Sequence, residues 1–463
     1  ELVAAGELPP VDERLPENPD VCTMVEGPGQ YGGTMRRAFR GVSDANGPIK
    51  VVGMNLCWFD FDLNLRPSLA ESFETNEDAS EWTFHLRRGT KWSDGTPFTA
   101  EAFTWYWENH LGNETLTTAP PRYLSAGDPR TLGALETPDD FTVVIRFTAP
   151  YPLFGYEVLG HRTQPFLPGH YLAQFHEDLA EDPAALQAAV AEAGFQTWDQ
   201  LYADRNQWWL HPERPQIGPW ISTNTLQEEL FIMDRNPYFW QVDAEGRQLP
   251  YIDRVTHRLH ETPDVFNLWI VNGEIDFQGR NVEFANYTLF KESEASGDYR
   301  VYLGSSTYHT CFTPNHATQN EALREFFGER NVRIALSLAV NRDAMVSGLL
   351  QGYGSTLDTI FPTNHWSYPP DVTPIEYDPE AARALLDQAG WAQSGQYRAK
   401  DGRELALRLF VPTGNQVRER TAPIIQANLR QVGIRVDIES MDFPTLVTHL
   451  MPQDAQGTPR AVN

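Results

Sequence analysis

Lysine occurs at only four positions in this chain, Lys50, Lys91, Lys291 and Lys400, and acidic residues dominate so strongly that the formal net charge is −27. A field of that sign repels phosphate backbones and anionic lipid, which argues against nucleic acid or a membrane surface as partner. Arginine supplies the rest of the positive charge, a bias we attribute to codon usage rather than to heat adaptation. Cysteine is equally scarce. Cys22, Cys57 and Cys311 are too far apart for metal-ligand spacing and form no disulfide framework, although one long-range bridge with a leftover thiol is open to them. No apolar run approaches the roughly 18 residues that a membrane helix needs.

Catalytic signatures are missing as well. The sequence contains no GxSxG elbow, no Walker loop and no HExxH. Its one formal GxGxxG, Gly27-Pro28-Gly29-Gln30-Tyr31-Gly32, follows a Pro-rich arm and precedes a β-like stretch at 34–39. A dinucleotide loop needs the reverse order, strand before and helix after, so the match is accidental. His257 and His260 fall on a probable strand, where positions i and i+3 point to opposite faces and cannot share a metal. Most carboxylates sit in turns such as Asp139-Asp140 or on helix exteriors, and no acid–base pair stands out. The expectation is a chain with no catalytic residue, no metal ligand and no cofactor.

What is present is ample material for folding. The 463 residues exceed the size of one core, so two or three lobes are expected. Residues 81–87, EWTFHLR, alternate strictly, with Trp82, Phe84 and Leu86 on one face. Residues 141–147 alternate likewise, with Phe141, Val143, Ile145 and Phe147 together. Helices are expected at 182–194, at 378–389 and over a longer period at 331–350; in the first two, Pro opens the helix and Gly closes it. Thr99 suits an N-cap. Near the end, 396–398, the Asp401-Gly402 turn and 405–411 read as a hairpin. A helix at about 416–431 and a strand at 434–438 follow, which makes a βαβ unit with parallel sheet. The fold class is α/β.

The stretch KWSDGTPFTAEAFTWYWEN (91–109) crowds aromatics around one turn and helix start. On an α-helix Phe103 pairs with Trp107, and Ala102 with Trp105 and Tyr106, so the two tryptophans cannot both face inward. Part of the segment is expected to be exposed or to cover another lobe. At the ends, Glu1 follows no basic or apolar leader, so any export signal has been removed or never existed. The final residues, MPQDAQGTPRAVN, suggest a chain that stops inside a domain.

Three stretches carry a family resemblance: RPSLAESF (66–73), EWTFHLRRGTKWSDGTPFTAEAF (81–103) and NVRIALSLAVNRDAMV (331–346). IGPW (217–220), RNPYFW (235–240), NGEIDF (272–277) and YDPEAARALLDQAGW (377–391) support them in the same order. Together they resemble the family 5 extracytoplasmic solute-binding proteins of ABC importers, the dipeptide, oligopeptide and nickel group. The resemblance implies a two-lobed, periplasmic-binding-protein-like fold of type II, in the large class with an extra inserted lobe. It implies lobe Ia at 1–50 and 166–262, inserted lobe Ib at 51–165, and lobe II from 263 to 463. It also implies that the C-terminal part, with the return crossing and the acidic group that pairs with a peptide's amino terminus, is missing. Trp82, Trp92 and Phe103 become packing residues of a structural corner.

Such a protein is implied to be extracytoplasmic, periplasmic or at the cell surface, with a lipid anchor before Glu1 left open. Its implied partners are a small or short-oligomer ligand and the membrane subunits of an ABC permease; it works as a monomer and binds no nucleic acid. By position against the family, the cleft walls come from 44–46, 123, 218–220 and 306–309. The ligand candidates are Asn46, Tyr123, Trp220, Tyr308, Trp366 and Arg418. Arg418 follows Thr413-Gly414-Asn415 at a helix start, a setting suited to a carboxylate. The family's commonest ligand class makes an oligopeptide the first expectation. An oligosaccharide is the alternative, because planes such as Trp220 and Trp366 can stack on sugar rings. Nickel chelates come third for want of a His cluster, and a secreted hydrolase is the distant alternative.

Overall fold

The computed structural model describes every residue except 1–2, 42–43, 161–163, 305–309, 317, 362, 364, 366 and 451–463. The chain divides into two units. The first comprises Glu1–Val282 and Ala295–Tyr299; the second comprises Glu283–Glu294 and the residues from Arg300 onward.

The first unit includes strand β1 (Thr34–Phe39) and helix α1 (Asn46–Val52), then β2 (Ala70–Thr75) and β3 (Glu81–Leu86). Helix α2 (Glu101–Trp105), β4 (Ala134–Asp139), β5 (Thr142–Arg146), α3 (Pro183–Glu192) and α4 (Trp198–Arg205) come next. Strands β6 (Trp220–Ser222), β7 (Leu230–Arg235), β8 (Arg254–Leu259) and helix α5 (Pro263–Val271) complete it. These strands make two four-stranded sheets, ordered β2-β3-β5-β4 and β6-β7-β8-β1. In the second sheet β1 pairs parallel with β8, although more than 200 residues separate them.

The alternation read in 81–87 is the burial pattern of β3, whose Trp82, Phe84 and Leu86 are buried. Ile145 and Val143 of β5 stand directly opposite Trp82 and Phe84, so both strands commit the same face to one core. The aromatic corner belongs to that core. Trp92, Phe98, Phe103 and Phe166 are buried together, with ring centroids 5.0–6.1 Å apart. Gly95 takes φ +89° in the turn, a value open to glycine.

Two expectations for this corner are corrected. The capping position of α2 is Ala100, and Thr99 helps from one residue earlier by accepting the Glu101 amide at 3.3 Å. Beyond Trp105 the chain does not continue as an α-helix but widens into a π turn over Tyr106–Leu111. That turn rotates Tyr106, Trp107 and Leu111 inward together. Trp107 Nε1 donates to the Gly133 carbonyl at 2.9 Å. Trp105 is half-buried and stacks on Tyr202. Gly169 leaves room for its ring: a Cβ there would lie 2.4 Å from Trp105.

The second unit contains α6 (Arg330–Leu338), α7 (Arg342–Leu350), α8 (Pro379–Gln388), β9 (Ala392–Ser394), β10 (Tyr397–Lys400) and β11 (Arg403–Glu404). After these come β12 (Ala406–Pro412), α9 (Gln416–Gln431), β13 (Arg435–Met441) and α10 (Phe443–Leu450). The predicted long helix at 331–350 is two helices. Asn341 breaks it by capping α7, its side chain accepting the Ala344 amide at 2.9 Å. The hairpin is also shorter than expected. β10 and β11 pair around Asp401 and Gly402, both at positive φ, but the chain then leaves as β12 and pairs parallel with β13. The βαβ unit β12–α9–β13 stands as read. Its apolar faces, with those of α6 and α8, form the unit's core around Leu336, Leu386, Ile425, Leu429 and Ile434.

Candidate functional site

Parallel strands end on the same side, so β1 and β8 present one carboxyl edge, with Phe39 paired to Leu259. In open α/β sheets this is the edge where helix N-termini gather and ligands are met. Helix α1 begins at Asn46, a few positions after this edge, and residues 260–262 lead into α5, where the Thr262 hydroxyl accepts the Val265 amide. Asp44 lies at this edge only 5 % exposed. A carboxylate buried that far needs partners. It accepts the Arg40 amide at 3.1 Å and the Asn281 side-chain amide at 3.0 Å, and it pairs with the Arg280 guanidinium. His260 is buried beside it, stacked on Phe266 with centroids 4.6 Å apart, and burial lowers its pKa.

Beneath α1 the sheet holds two further polar groups. Arg37 and His257 are register partners on β1 and β8. Arg37 is 4 % exposed; its Nε donates to the Phe277 carbonyl at 3.1 Å while Nη1 is buried without a hydrogen bond. His257 is fully buried, with no hydrogen bond at either ring nitrogen. Burial, reinforced by the neighbouring Arg37 charge, pushes its pKa down to about 3. His257 is therefore neutral at ordinary pH.

The outer edge of β1 is covered by residues 276–278. Asp276 N donates to Arg36 O at 2.9 Å, and the Asp276 carboxylate accepts Arg36 N at 2.6 Å. The Gln278 side chain both accepts from Ala38 N and donates to Ala38 O. Arg36 and Asp276 also form an ion pair. This segment is thereby fixed to the sheet.

The second unit repeats the theme. The parallel pair β12 and β13 ends at Pro412 opposite Met441. Asn415 caps α9 by accepting the Arg418 amide at 3.1 Å, and Glu419 accepts the Gly414 amide at 2.8 Å. Asp442 accepts the Thr445 amide at the start of α10. Polar side chains and helix N-termini thus line a carboxyl edge in each unit.

The predicted site residues distribute unevenly over this framework. Asn46 is the first residue of α1, half-buried and two positions from Asp44. Arg418 is exposed at the start of α9. Trp220 pairs with Arg235 at the opposite end of the β6-β7-β8-β1 sheet, and the length of β8 puts that end about 17 Å from the carboxyl edge. Its indole donates to Ile252 O at 3.0 Å and its ring packs on the core below α1. Tyr123 is 5 % exposed inside the large core. Tyr308 and Trp366 lie outside the described residues. Sequence reasoning missed Arg37, Arg280 and Asn281 and weighed His257 only as a metal ligand; their partners are more than 200 positions away and leave no local signal.

Other chemistry is sparse among the described residues. No group of three or more His, Cys, Asp or Glu could hold a metal ion, and no helix is long and apolar enough to cross a membrane. All three cysteines are free thiols, so the bridge left open above does not form. Burial pushes Cys57 up to about 12 and Cys22 to about 11, which keeps both as unreactive thiols.

The sequence matches the family described as bacterial extracellular solute-binding proteins, family 5 Middle, over residues 64–458. It is 25% identical to the periplasmic alpha-galactoside-binding protein of Rhizobium meliloti (strain 1021), covering 95% of this chain and 66% of that protein. It is 24% identical to the oligopeptide-binding protein AppA of Bacillus subtilis (strain 168), covering 85% and 64%. The chain spans less than two thirds of the length of these curated relatives. Among solved structures, the oligopeptide-binding protein OppA superposes with TM-score 0.65 at 32% identity, covering 97% of this chain and 72% of that one. The periplasmic binding protein MelB of Agrobacterium fabrum C58, in complex with stachyose, gives 0.74 at 24% identity, covering 96% and 69%. The architecture is the periplasmic-binding-protein-like α/β fold, and the chain belongs to the family 5 bacterial extracellular solute-binding proteins.

Proposed function

We propose that this chain is the extracytoplasmic substrate-binding component of an ABC importer, which captures an oligopeptide-like solute and presents it unaltered to the membrane permease. The observation that carries the reading is the pair of carboxyl edges, each lined by helix N-termini and hydrogen-bonding side chains suited to the charged ends and amides of a peptide. Asn46 on the first edge and Arg418 on the second are assigned to solute contact, with Tyr308 and Trp366 as further proposed contacts. Trp220 and Tyr123 serve the cores of the first unit instead. In this reading the first unit carries the lobes 1–50 with 166–262 and 51–165, and the second carries most of the lobe that begins at 263. Solute that touches both lobes only when they close shifts a hinge equilibrium, and a swing from 1:99 to 99:1 needs about 5.5 kcal/mol of differential affinity.

One observation favours the oligosaccharide reading as second choice. Phe284 and Tyr287 stack with centroids 5.7 Å apart and planes 4° from parallel, and Tyr353 stands against both. Tyr353 is 62% exposed and none of the three belongs to the unit's core. An exposed aromatic surface with phenolic hydroxyls suits a pyranose ring. Thermal melting in the presence of a synthetic nonapeptide or stachyose separates the two. A solute at 100 times its Kd stabilises by about 2.7 kcal/mol. A shift with the nonapeptide alone supports the first reading, a shift with stachyose alone the second, and turnover of either solute refutes both.

A further inference from the structure

We propose that Asp44 is a positioning residue for solute capture: it ties the loop after β1 to the last residues before the chain leaves the first unit. Contacts made on that loop then act on the crossover. The inference rests on the solute-binding reading above and adds a residue and a route to it.

The crossover has a defined location. The chain leaves the first unit after Val282, returns for Ala295–Tyr299 and leaves again at Arg300. Asn281 has φ +63° and Asp298 has φ +54°, so a non-glycine residue in the left-handed region stands one or two positions before each exit. Such residues are uncommon and hold their conformation only when neighbours fix it. Hinges are a few loop positions that take up large backbone changes.

Asn281 is held by its neighbours. Residues 276–278 are laced to β1 through the Arg36 and Ala38 backbone, so no pivot lies before them. Arg280 and Asn281 are then both bound by one carboxylate, that of Asp44. Asp44 also accepts the Arg40 amide, and Asn46 lies two residues further on. The return stretch is anchored too: a Cβ on Gly273 would lie 2.1 Å from the Gly297 carbonyl oxygen, so α5 and residues 295–299 approach as closely as backbone allows. Both exits therefore start from fixed ground, and the last fixed point before the first exit is Asp44.

The test uses the full-length protein with spin labels at Glu192→Cys in the first unit and Glu380→Cys in the second, in a Cys311→Ser background. Two variants loosen the clasp. Asp44→Asn keeps shape and removes the charge facing Arg280. Asn281→Gly removes one hydrogen bond and relaxes the φ +63° position, so its fold is not at risk. Each is expected to broaden the solute-free distance distribution while melting cooperatively. Each is also expected to weaken nonapeptide or stachyose binding at least about fivefold, through faster dissociation. Asp44→Asn combined with Arg280→Gln is expected to be no worse than Asp44→Asn alone. Distributions identical to the parent in cooperatively melting Asn281→Gly would overturn the proposal, as would independent, additive effects of Asp44→Asn and Arg280→Gln. Because the distances are read without solute, failure of both solutes to bind the parent would count against the functional reading and leave this test intact.

Discussion

Replacing His257 with leucine tests the polar interior beneath α1. His257 is fully buried, its nitrogens make no hydrogen bond, and its ring lies 6.1 Å from that of Phe231. An unsatisfied buried polar group costs about 1–3 kcal/mol, and an imperfect fit of the new side chain costs up to about 1.5 kcal/mol. At pH 7 the substitution is therefore neutral or mildly stabilising. The sharper consequence is in pH. The folded pKa is lowered to about 3 while an unfolded histidine titrates near 6.5, so between those values the unfolded chain binds the extra proton. Stability contributed by the neutral ring is present above the unfolded pKa and is lost as pH falls below it. Between pH 7 and pH 5 the loss is about 2 kcal/mol from this one group. His110, lowered to about 4 by burial, adds the same trend to both proteins and cancels in the comparison. Urea unfolding at both pH values gives the answer. The leucine variant should gain about 2 kcal/mol over the parent on going from pH 7 to pH 5. Equal pH dependence in parent and variant would show that His257 is not held neutral, and the argument would fail.

Trp107→Ala should lower stability by about 3–5 kcal/mol in urea unfolding, because it empties a core site; a loss of solute affinity at unchanged stability would mean that the aromatic corner reads ligand instead. Gly218→Ala would put a Cβ 2.6 Å from the Val52 carbonyl oxygen, at the end of α1, and should cost about 1–3 kcal/mol by the same assay. Asn341→Ala removes the cap of α7 and should cost about 1 kcal/mol; no change would mean that the break between α6 and α7 does not depend on it.

Local order was readable because it is written in short spacings. The period of two in 81–87 is the burial pattern of β3. Asp182 with Pro183 and Asp378 with Pro379 open helices as their chemistry requires, and each side chain accepts amides of the first turn. The errors have the same physical origin turned round. An unbroken apolar period hid the competing cap at Asn341, and the hairpin was overextended because β12 takes its partner from β13, beyond a 16-residue helix. A π turn changes the angular step of the helix, so Tyr106 turns inward beside Trp107, which α-helical facing rules do not anticipate, while Trp105 stays half-buried. At the site, 44–46 and Arg418 could be chosen from position, but the partners of Asp44 are 236 and 237 residues away. Long-range pairing of that kind is fixed by register, which the sequence does not display.

Small-angle X-ray scattering of the full-length protein, with and without saturating nonapeptide or stachyose, bears most directly on solute capture by two moving units. The account predicts a smaller radius of gyration with bound solute, reversed on dialysis that returns the solute intact. Bound solute with superimposable scattering curves, or solute recovered in cleaved form, would contradict it.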